Sequence, residues 1–377
     1  MFDPFLNIPF FDGKYSYTAR KEEIEKAIFN TLNQGVYIGG DAVLEFSKRL
    51  ANYLEVEHVV TCGNGTDALS IALMALELKA GDEVIVPTFN FVAAVEAIAL
   101  LGLVPVFVDA SADDFNLDPQ NVEGLITDKT KAIIVVHLFG GAAQIEKIAQ
   151  IAQKYKLYVI EDVAQSLGSK YGGRFLGTFG HIGCTSFFPT KNLACFGDGG
   201  ALFTNDSDLA KKIETIGKHG QESKYEHVRV GMNSRLDTLQ AAILNVQLSY
   251  IDSDIKKRRR VANLYHHALK SIYAVKLPIE KEGTFHSFNQ YNLILQNKKT
   301  RDELKLYLHH AGIETMIYYP RPIHEQKAFL RFNVNQHFPF SETLCDTVLA
   351  LPVSPSLSQV EQEYIITKIL NFFAAYV

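Results

Sequence analysis

Short apolar segments alternate regularly with helix-like segments through the first two thirds of the chain. The predicted strands span residues 58–62, 83–86, 105–108, 132–138, 157–161, 185–188 and 201–204, and the clearest helix-like stretches span 92–101 and 144–154. Near-continuous apolar strands separated by helices are typical of a parallel sheet covered on both faces. Ligands of such sheets bind at the carboxyl ends of the strands. The residues that follow each strand are therefore the candidate site residues.

One lysine follows a predicted strand in an unusual setting. The segment 185–188 must end at Pro189, because proline cannot donate a hydrogen bond to a central ladder, and Lys191 then lies in the loop just past the strand. Residues 194–200 are small and glycine-rich, so that a flat ligand can approach the backbone closely. Burial disfavours the charged form of a lysine, which is what a Schiff-base lysine requires. The alternative is a surface lysine on a tight turn.

A glycine-rich turn follows the first strand. Gly63-Asn64-Gly65-Thr66 precedes a helix that is predicted from Ala68 onward. Free N–H groups, the helix dipole and the Thr66 hydroxyl make this turn a candidate anion site. An ordinary helix cap explains the same residues. The turn is not a dinucleotide fingerprint, because the pattern G-x-G-x-x-G is absent.

An aromatic ring and a carboxylate follow two further strands. Phe91 comes after residues 83–86, where it can stack on a planar ligand or pack in the core. Asp162 follows residues 157–161, and a carboxylate at the end of a buried strand is costly unless a cation compensates. A protonated pyridine nitrogen would be such a cation, and Gln165 can reach the same ligand. The alternative for Asp162 is a cap of the next helix.

Three later features are interpreted structurally. Ser234 and Asp237 have the spacing of a capping box, which predicts a structural role for Ser234. The basic run 256–260 is interpreted as the solvated face of a long helix rather than as a nucleic-acid site. From residue 251 onward, short strands mix with helices. This change predicts a smaller α+β domain over residues 251–377, packed on a large domain over 1–250.

Composition narrows the class of protein further. The 377 residues carry a net charge of −5, so there is no basic field of the kind that nucleic-acid-binding proteins use. The four cysteines form no C-x-x-C pair, which is typical of a reducing compartment. No apolar run has membrane-spanning length, and no signal-peptide pattern opens the chain. We therefore expect a cytoplasmic protein that binds neither nucleic acid nor membrane.

An anion cradle, an aromatic ring, a carboxylate and a buried lysine, in this order at strand ends, together indicate a site for pyridoxal 5′-phosphate (PLP). From Ile8 to His324 the sequence resembles the DegT-type nucleotide-sugar aminotransferases. The stretches that carry the resemblance are Gly65-Thr66-Asp67-Ala68-Leu69, Glu161-Asp162-Val163-Ala164-Gln165-Ser166, Ser186-Phe187-Phe188-Pro189-Thr190-Lys191-Asn192-Leu193, Gly197-Asp198-Gly199-Gly200 and Asn233-Ser234-Arg235-Leu236-Asp237. The resemblance implies an α/β fold of the type I PLP-dependent transferases, which is aspartate-aminotransferase-like. Such a fold has a large, mostly parallel sheet domain and a smaller α+β C-terminal domain.

The resemblance also implies a role for each matched residue. Lys191 would form the Schiff base with PLP, and Asp162 would pair with the pyridine nitrogen. Gln165 would contact the ring hydroxyl, and Phe91 would stack on the ring. The remaining implied cofactor-binding residues are Gly65, Thr66 and Ser186 at the phosphate, Asp67, and Asn233 from the neighbouring subunit of a homodimer with shared active sites. Tyr319 and His324 match positions that line the sugar-nucleotide pocket.

The implied substrates are L-glutamate and a nucleotide-linked keto sugar that is aminated at C3, for the amino sugars of surface polysaccharide. Two acceptors fit, a UDP-linked 2-acetamido-3-keto-glucuronate and a dTDP-linked 3-keto-6-deoxyhexose. Arg229 can pair with the carboxylate of the uronate, or it is a loop arginine. His324, with Glu325 and Gln326, favours the deoxysugar. The choice stays open, and the alternatives are C4 amination and a non-catalytic regulatory protein that binds PLP or a nucleotide.

Overall fold

The computed structural model describes residues 7–111, 114–333 and 336–375. The helices are α1 (Tyr15–Ala19), α2 (Lys21–Gln34), α3 (Asp41–Leu54), α4 (Gly65–Ala75), α5 (Ala93–Leu100), α6 (Ile145–Tyr155), α7 (Ser207–Gly217), α8 (Thr238–Leu248), α9 (Ile251–Leu269), α10 (Lys298–His310), α11 (Pro339–Thr347) and α12 (Gln359–Ala374). The strands are β1 (His58–Cys62), β2 (Glu83–Pro87), β3 (Val104–Val108), β4 (Thr130–Val136), β5 (Tyr158–Asp162), β6 (Lys170–Tyr171), β7 (Arg174–Phe175), β8 (Ile182–Ser186), β9 (Gly200–Thr204), β10 (Gln221–Ser223), β11 (Glu226–His227), β12 (Val275–Lys276), β13 (Thr284–Phe285), β14 (Tyr291–Leu295) and β15 (Val348–Leu351).

Seven strands form one large sheet in the order β1-β9-β8-β5-β4-β2-β3. Strand β9 runs antiparallel to both of its neighbours, and the other adjacent pairs are parallel. The carboxyl ends of β2, β4, β5 and β8 therefore lie at one edge of the sheet. There the register places Asp162 between Val136 and Cys184. The predicted α/β class with a large, mostly parallel sheet is confirmed.

Helix α4 is apolar on nearly every side because it lies between the sheet and other helices. It contacts β8 and β9 on the sheet and α5 and α7 beside it. Leu69, Ile71 and Leu73 of this helix are fully buried in the largest hydrophobic cluster. This packing fixes the N-terminus of α4 at the edge of the sheet where the strands end.

Several element boundaries differ from the predicted ones, by up to two residues at an end for β4, which spans Thr130–Val136 rather than 132–138, and two of the differences lie at the site. Strand β8 spans Ile182–Ser186 rather than 185–188, because its ladder forms with β5 and β9 at residues 182–186. Phe187 beyond it is buried, whereas Phe188 is exposed. Helix α4 begins at Gly65 rather than at Ala68, because the Asn64 side chain caps it by accepting a hydrogen bond from Asp67 N at 2.8 Å. The glycine-rich turn is thus already the first turn of the helix.

The capping-box prediction at Ser234 is wrong. Helix α8 begins at Thr238, and its N-cap Asp237 makes no side-chain capping hydrogen bond. Ser234 Oγ instead donates to Asp67 Oδ2 at 2.6 Å and accepts from Gly63 N at 2.9 Å. The hydroxyl therefore stabilises the turn that precedes α4, far away in sequence.

A second sheet, β12-β14-β15, lies wholly in the C-terminal part of the chain. Helix α9, which begins at Ile251, contributes to the core beside this sheet, and Ile8 near the N-terminus is buried in the same core. The boundary at residue 251 stays a prediction. The basic run on α9 is only partly solvated, since Arg258 is buried and donates to the carbonyl oxygens of Asn289 and Val353.

The four cysteines are buried free thiols. Within residues 7–111, 114–333 and 336–375, none of the helices is both long enough and apolar enough to cross a lipid bilayer.

Candidate active site

Lys191 and Asp162 lie at the ends of adjacent strands. Lys191 follows β8 in a tight loop in which its N–H donates to Phe188 O at 2.9 Å. Burial lowers the pKa of Lys191, and the charge of Asp162 opposes this shift. Burial raises the pKa of Asp162, while a hydrogen bond from Ala164 N at 2.9 Å and the charge of Lys191 lower it. The site therefore combines an amine and a carboxylate whose charged forms are both disfavoured by burial.

The alternative role of Asp162 as a helix cap does not fit the structure. A turn follows Asp162, and the next regular element is strand β6. The Asp162 side chain accepts a hydrogen bond within this turn, from Ala164 N. The carboxylate therefore remains a functional candidate.

The N-terminus of α4 faces Ser186 at the end of β8. A Cβ atom on Gly65 would lie only 2.7 Å from Ser186 Cβ, so only glycine allows this approach. The N–H groups of Gly65 and Thr66 precede the first intrahelical hydrogen bond, from Ala68 N to Asn64 O at 3.1 Å. These two N–H groups, the helix dipole and the Ser186 hydroxyl can hold a phosphate.

Asp67 is fixed beside this cradle. Its backbone N–H donates to Asn64 Oδ1, and its carboxylate accepts from Ser234 Oγ. Both contacts order the first turn of α4.

Gln165, Tyr319 and Phe91 form a polar and aromatic wall. Gln165 Oε1 accepts from Phe139 N at 3.0 Å, and Gln165 Nε2 donates to Tyr319 Oη at 2.9 Å. The Phe91 ring lies 6.3 Å from the Tyr319 ring, and 54% of Phe91 is exposed. An exposed aromatic ring next to buried ones fits a residue that stacks on a ligand.

His324 lies in a different environment. It is only 2% exposed, and its Nδ1 lies 2.7 Å from Thr88 Oγ1. Its Nε2 is 3.5 Å from Glu342 Oε1, and its ring lies 4.7 Å from the Phe338 ring. The imidazole therefore holds the segment after residue 320 against the end of β2.

Arg229 and Asn233 belong to the segment that contains β10 and β11. Asn233 is exposed, and the Lys218–Asn233 bridge closes the segment. The charge of Arg229 acts on Glu77: a hydrogen bond from Lys212 is the largest cause that lowers the pKa of this carboxyl group, and the charge of Arg229 lowers it further. Glu77 lies just beyond the C-terminus of α4, a helix of 11 residues that is about 16 Å long. The charge of Arg229 therefore acts near the C-terminal end of α4, whereas the phosphate cradle lies at the N-terminal end of this helix.

His137 is a site residue that the sequence interpretation missed. It was included in the predicted strand 132–138, but β4 ends at Val136 and His137 is the first residue beyond it. Its N–H donates to Asp162 O at 3.0 Å, and its Nε2 lies 2.9 Å from Glu161 Oε2. Its charge also lowers the pKa of Asp162. The sequence feature that could have identified His137 is its position as a polar residue at the end of an apolar run.

Residues 18–370 match the DegT/DnrJ/EryC1/StrS aminotransferase family. The chain belongs to this family. The match covers the PLP-type site described above, including the lysine loop, the carboxylate and the cradle.

Curated relatives match nearly the whole chain of this family member. A protein named pleiotropic regulatory protein, from Geobacillus stearothermophilus, is 42% identical over 98% of this chain and 99% of its own. UDP-2-acetamido-2-deoxy-3-oxo-D-glucuronate aminotransferase from Pseudomonas aeruginosa is 41% identical over 97% of this chain and 100% of its own. dTDP-3-amino-3,6-dideoxy-alpha-D-galactopyranose transaminase from Aneurinibacillus thermoaerophilus is 39% identical over 97% of this chain and 99% of its own.

Solved structures of similar fold include one with cofactor bound. A family aminotransferase from Brucella abortus superposes with a TM-score of 0.92 at 40% identity, covering 97% of this chain and 100% of its own. NtdA from Bacillus subtilis was solved with bound pyridoxamine phosphate (PMP). It superposes with a TM-score of 0.92 at 31% identity, and the match covers 98% of this chain and 85% of its own. The predicted type I fold and the PLP cofactor are confirmed. The glycine cradle and the underpaired Asp162 carboxylate of this chain fit the phosphate and the ring nitrogen of that cofactor.

Proposed function

We propose that this protein transfers an amino group from L-glutamate to the C3 keto group of a nucleotide-linked sugar. The proposal is carried by the placement of Asp162 at the end of β5 and of Lys191 in the loop that follows the adjacent strand β8, beside the α4 cradle. It is supported by 41% identity over 97% of the chain to an aminotransferase that is named for a UDP-linked 3-oxo-glucuronate. The product would serve the synthesis of surface polysaccharide, and the free buried cysteines support a cytoplasmic site for the reaction.

Each group at the site has a distinct task. Gly65, Thr66 and Ser186 would hold the phosphate, and Phe91 would cover the ring. Bound PLP supplies a carbonyl group that accepts the amino group and a ring that delocalises negative charge. Asp162 would keep a proton on the ring nitrogen, because its own partly buried charge gains a compensating partner.

Lys191 is the group that moves protons. Its side chain extends from the loop after β8, the strand adjacent to the one that ends at Asp162. Its free amine would take a proton from carbon and return it. Burial lowers the pKa of Lys191, which brings the amine closer to neutral pH, where proton transfer in both directions is most effective. The proposed general acid–base residue is therefore Lys191.

The direct test uses the reverse reaction with 2-oxoglutarate. We expect PLP-loaded protein to form glutamate from a C3-amino sugar nucleotide of either the UDP-uronate or the dTDP-deoxyhexose series. A C4-amino sugar nucleotide serves as the regiochemical control and should not react. Turnover of the C4-amino compound alone would overturn C3 amination.

A regulatory role is the second candidate, because a relative at 42% identity is named pleiotropic regulatory protein. The two candidates differ in their response to glutamate. An aminotransferase that carries PLP on Lys191 should be yellow, and it should bleach when glutamate alone is added. A protein that keeps its colour with glutamate and turns over no amino sugar nucleotide would favour the regulator.

Arg229 distinguishes the two acceptor sugars, if it meets the substrate of a neighbouring subunit. Its Nε is buried and has no hydrogen-bond partner within the described residues. A charge-assisted pair with a carboxylate contributes about 1.5–3 kcal/mol. We therefore expect Arg229→Ala to lower kcat/KM for the uronate by about 10–150-fold. The neutral deoxysugar is the control, and its kcat/KM should not change. An unchanged kcat/KM for the uronate would make Arg229 a loop residue.

A second copy of the chain is the proposed partner of the exposed apolar surface around Asn233. Ile38 pairs with Asp237, which places the exposed turn of residues 35–40 beside the segment that contains Asn233. Exposed apolar side chains on these two segments include Tyr225 and Val230, which are 82% and 85% exposed. Such surface is typical of an interface. In this homodimer Asn233 would reach the phosphate of the partner subunit.

Shared sites predict complementation between inactive variants. In a heterodimer of Lys191→Ala and Asn233→Ala subunits, one site carries both changes and the other carries neither. An equimolar mixture that exchanges subunits at random should therefore recover about one quarter of the wild-type activity. Activity should be measured after demonstrated exchange, with each variant alone as the baseline.

The matched control pairs Lys191→Ala with Asp162→Asn. Both residues would act within their own subunit, so each site of that heterodimer keeps one defect and no activity should return. If both mixtures recover the same activity, although Asn233→Ala alone is inactive, the result would contradict shared sites.

A further inference from the structure

The loop that carries Lys191 is held by an asparagine from the C-terminal part of the chain. Asn289 Nδ2 donates to Thr190 O at 3.1 Å and to Asn192 Oδ1 at 3.2 Å. The residues on both sides of Lys191 are thus bound by one amide group. Both hydrogens of that amide are used, so the contact has a defined orientation.

Asn192 extends the same network into the large sheet domain. Its Nδ2 donates to Leu167 O at 3.1 Å and to Ser287 Oγ at 2.9 Å. Ser287 Oγ in turn lies 2.8 Å from Ser169 Oγ, and both serines are fully buried. Buried polar networks in which every donor is used make the local structure rigid.

The peptide bond before Lys191 is fixed at both of its polar atoms. Thr190 O belongs to the same peptide group as the nitrogen of Lys191, and Asn289 donates to that oxygen. The Lys191 N–H donates to Phe188 O at 2.9 Å. Because the peptide group is planar and includes Lys191 Cα, these two contacts set the position of the atom from which the side chain leaves.

Asn289 is itself firmly placed. It is 6% exposed, and Arg258 Nη1 donates to its carbonyl oxygen at 3.3 Å. Phe288 before it has a φ of +48°, a strained conformation that persists only where the surroundings enforce it. A Cβ atom on Gly140 would lie 3.0 Å from Asn289 N, which shows how closely the two parts of the chain approach.

We infer that Asn289 is a positioning residue, which holds the Lys191 backbone where Nζ can reach the cofactor carbonyl. The inference rests on the proposed function of Lys191 and adds to it a dependence on the C-terminal part of the chain. Small displacements of a reacting group lower its effective concentration steeply. Loss of the two hydrogen bonds that Asn289 donates, called the Asn289 clamp below, should therefore weaken the part of cofactor binding that depends on Nζ. Binding of the phosphate by the cradle should stay unchanged.

The test compares the affinities for two forms of the cofactor. PLP gains affinity by condensing with Nζ, with release of one water, whereas PMP has no carbonyl and cannot bond to Lys191. In Asn289→Ala we expect the ratio of the PMP Kd to the PLP Kd to fall at least about tenfold. The Kd for PMP itself should stay within about threefold of wild type. Borohydride reduction and peptide mass measurement report the fraction of Lys191 that carries PLP.

Two further variants sharpen this test. Asn289→Asp keeps the shape but removes both donors, so it should lower the same ratio even if Asn289→Ala fails to fold. Gln290→Ala is the matched control, because this neighbouring amide carbonyl oxygen has no hydrogen-bond partner in the described structure. Gln290→Ala should leave both affinities unchanged.

Three results would overturn the inference. An equal loss of affinity for PLP and PMP in both Asn289 variants would mean that the clamp only stabilises the fold. An unchanged ratio would mean that Lys191 needs no clamp. Absence of reduced PLP on Lys191 in the wild-type protein would instead reject the proposed function, and the inference with it.

Discussion

Replacing Lys191 with alanine is expected to lower kcat by more than about 10²–10⁴-fold, which is the contribution of general acid–base catalysis alone. Loss of the proposed covalent link to the cofactor would add to this effect. The glycine cradle does not involve the lysine side chain, so the variant should still bind PMP. Steady-state turnover with the amino sugar nucleotide and 2-oxoglutarate measures the loss.

Two controls accompany this experiment. Lys211→Ala removes an exposed lysine from α7 and should leave kcat unchanged. Adding a small primary amine to Lys191→Ala should restore part of the turnover, because the truncated side chain leaves space beside Asp162. Retention of more than a few per cent of activity without added amine would exclude Lys191 as the Schiff-base residue.

The bounds of most strands and the position of Lys191 in the loop beyond β8 could be predicted because both depend on local properties of the sequence. Strand β1 has the predicted bounds, β2, β3 and β9 differ from prediction by one residue at one end, and β5 is shifted by one residue at both ends. Their apolar runs are bounded by glycine, proline or charged residues, which mark the ends of strands. Pro189 similarly limited how far β8 could extend.

The contacts that complete the site could not be predicted, because they join distant parts of the sequence. Ser234 and Asp67 are 167 residues apart, and Asn289 and Asn192 are 97 residues apart. A local rule assigned Ser234 to a capping box, yet the Asp67 carboxylate was the acceptor that the fold brought near it. The sequence around Asn289 likewise carries no pattern that indicates its hydrogen bonds to Thr190 and Asn192 on the lysine loop.

The proposed roles of Arg229 and His324 in binding the sugar are not decided by the single chain. Arg229 lies near Glu77 at the far end of α4, and His324 is buried against Thr88. Their assignment to the substrate remains a prediction that the Arg229→Ala comparison tests.

Asp162→Asn should lower kcat by about 10²–10⁴-fold while cofactor binding persists. Removing one partner of a buried ion pair costs about 3–5 kcal/mol, which corresponds to that range in rate if the pair is maintained in the transition state. The asparagine keeps the size of the side chain, and its Oδ1 can still accept from Ala164 N, so the turn after β5 should be preserved. Measuring kcat together with the Kd for PMP separates loss of catalysis from loss of binding.

Asp206→Asn is the matched control for the lost carboxylate charge. Asp206 caps α7 by accepting from Asp208 N and Leu209 N, and it lies outside the site. An asparagine can accept the same hydrogen bonds, so kcat should not change. If Asp162→Asn behaves like Asp206→Asn, the Asp162 carboxylate serves only its turn. A large loss in the Asp162 variant alone would mean that its charge is needed, as the proposed pairing with the ring nitrogen of the cofactor requires.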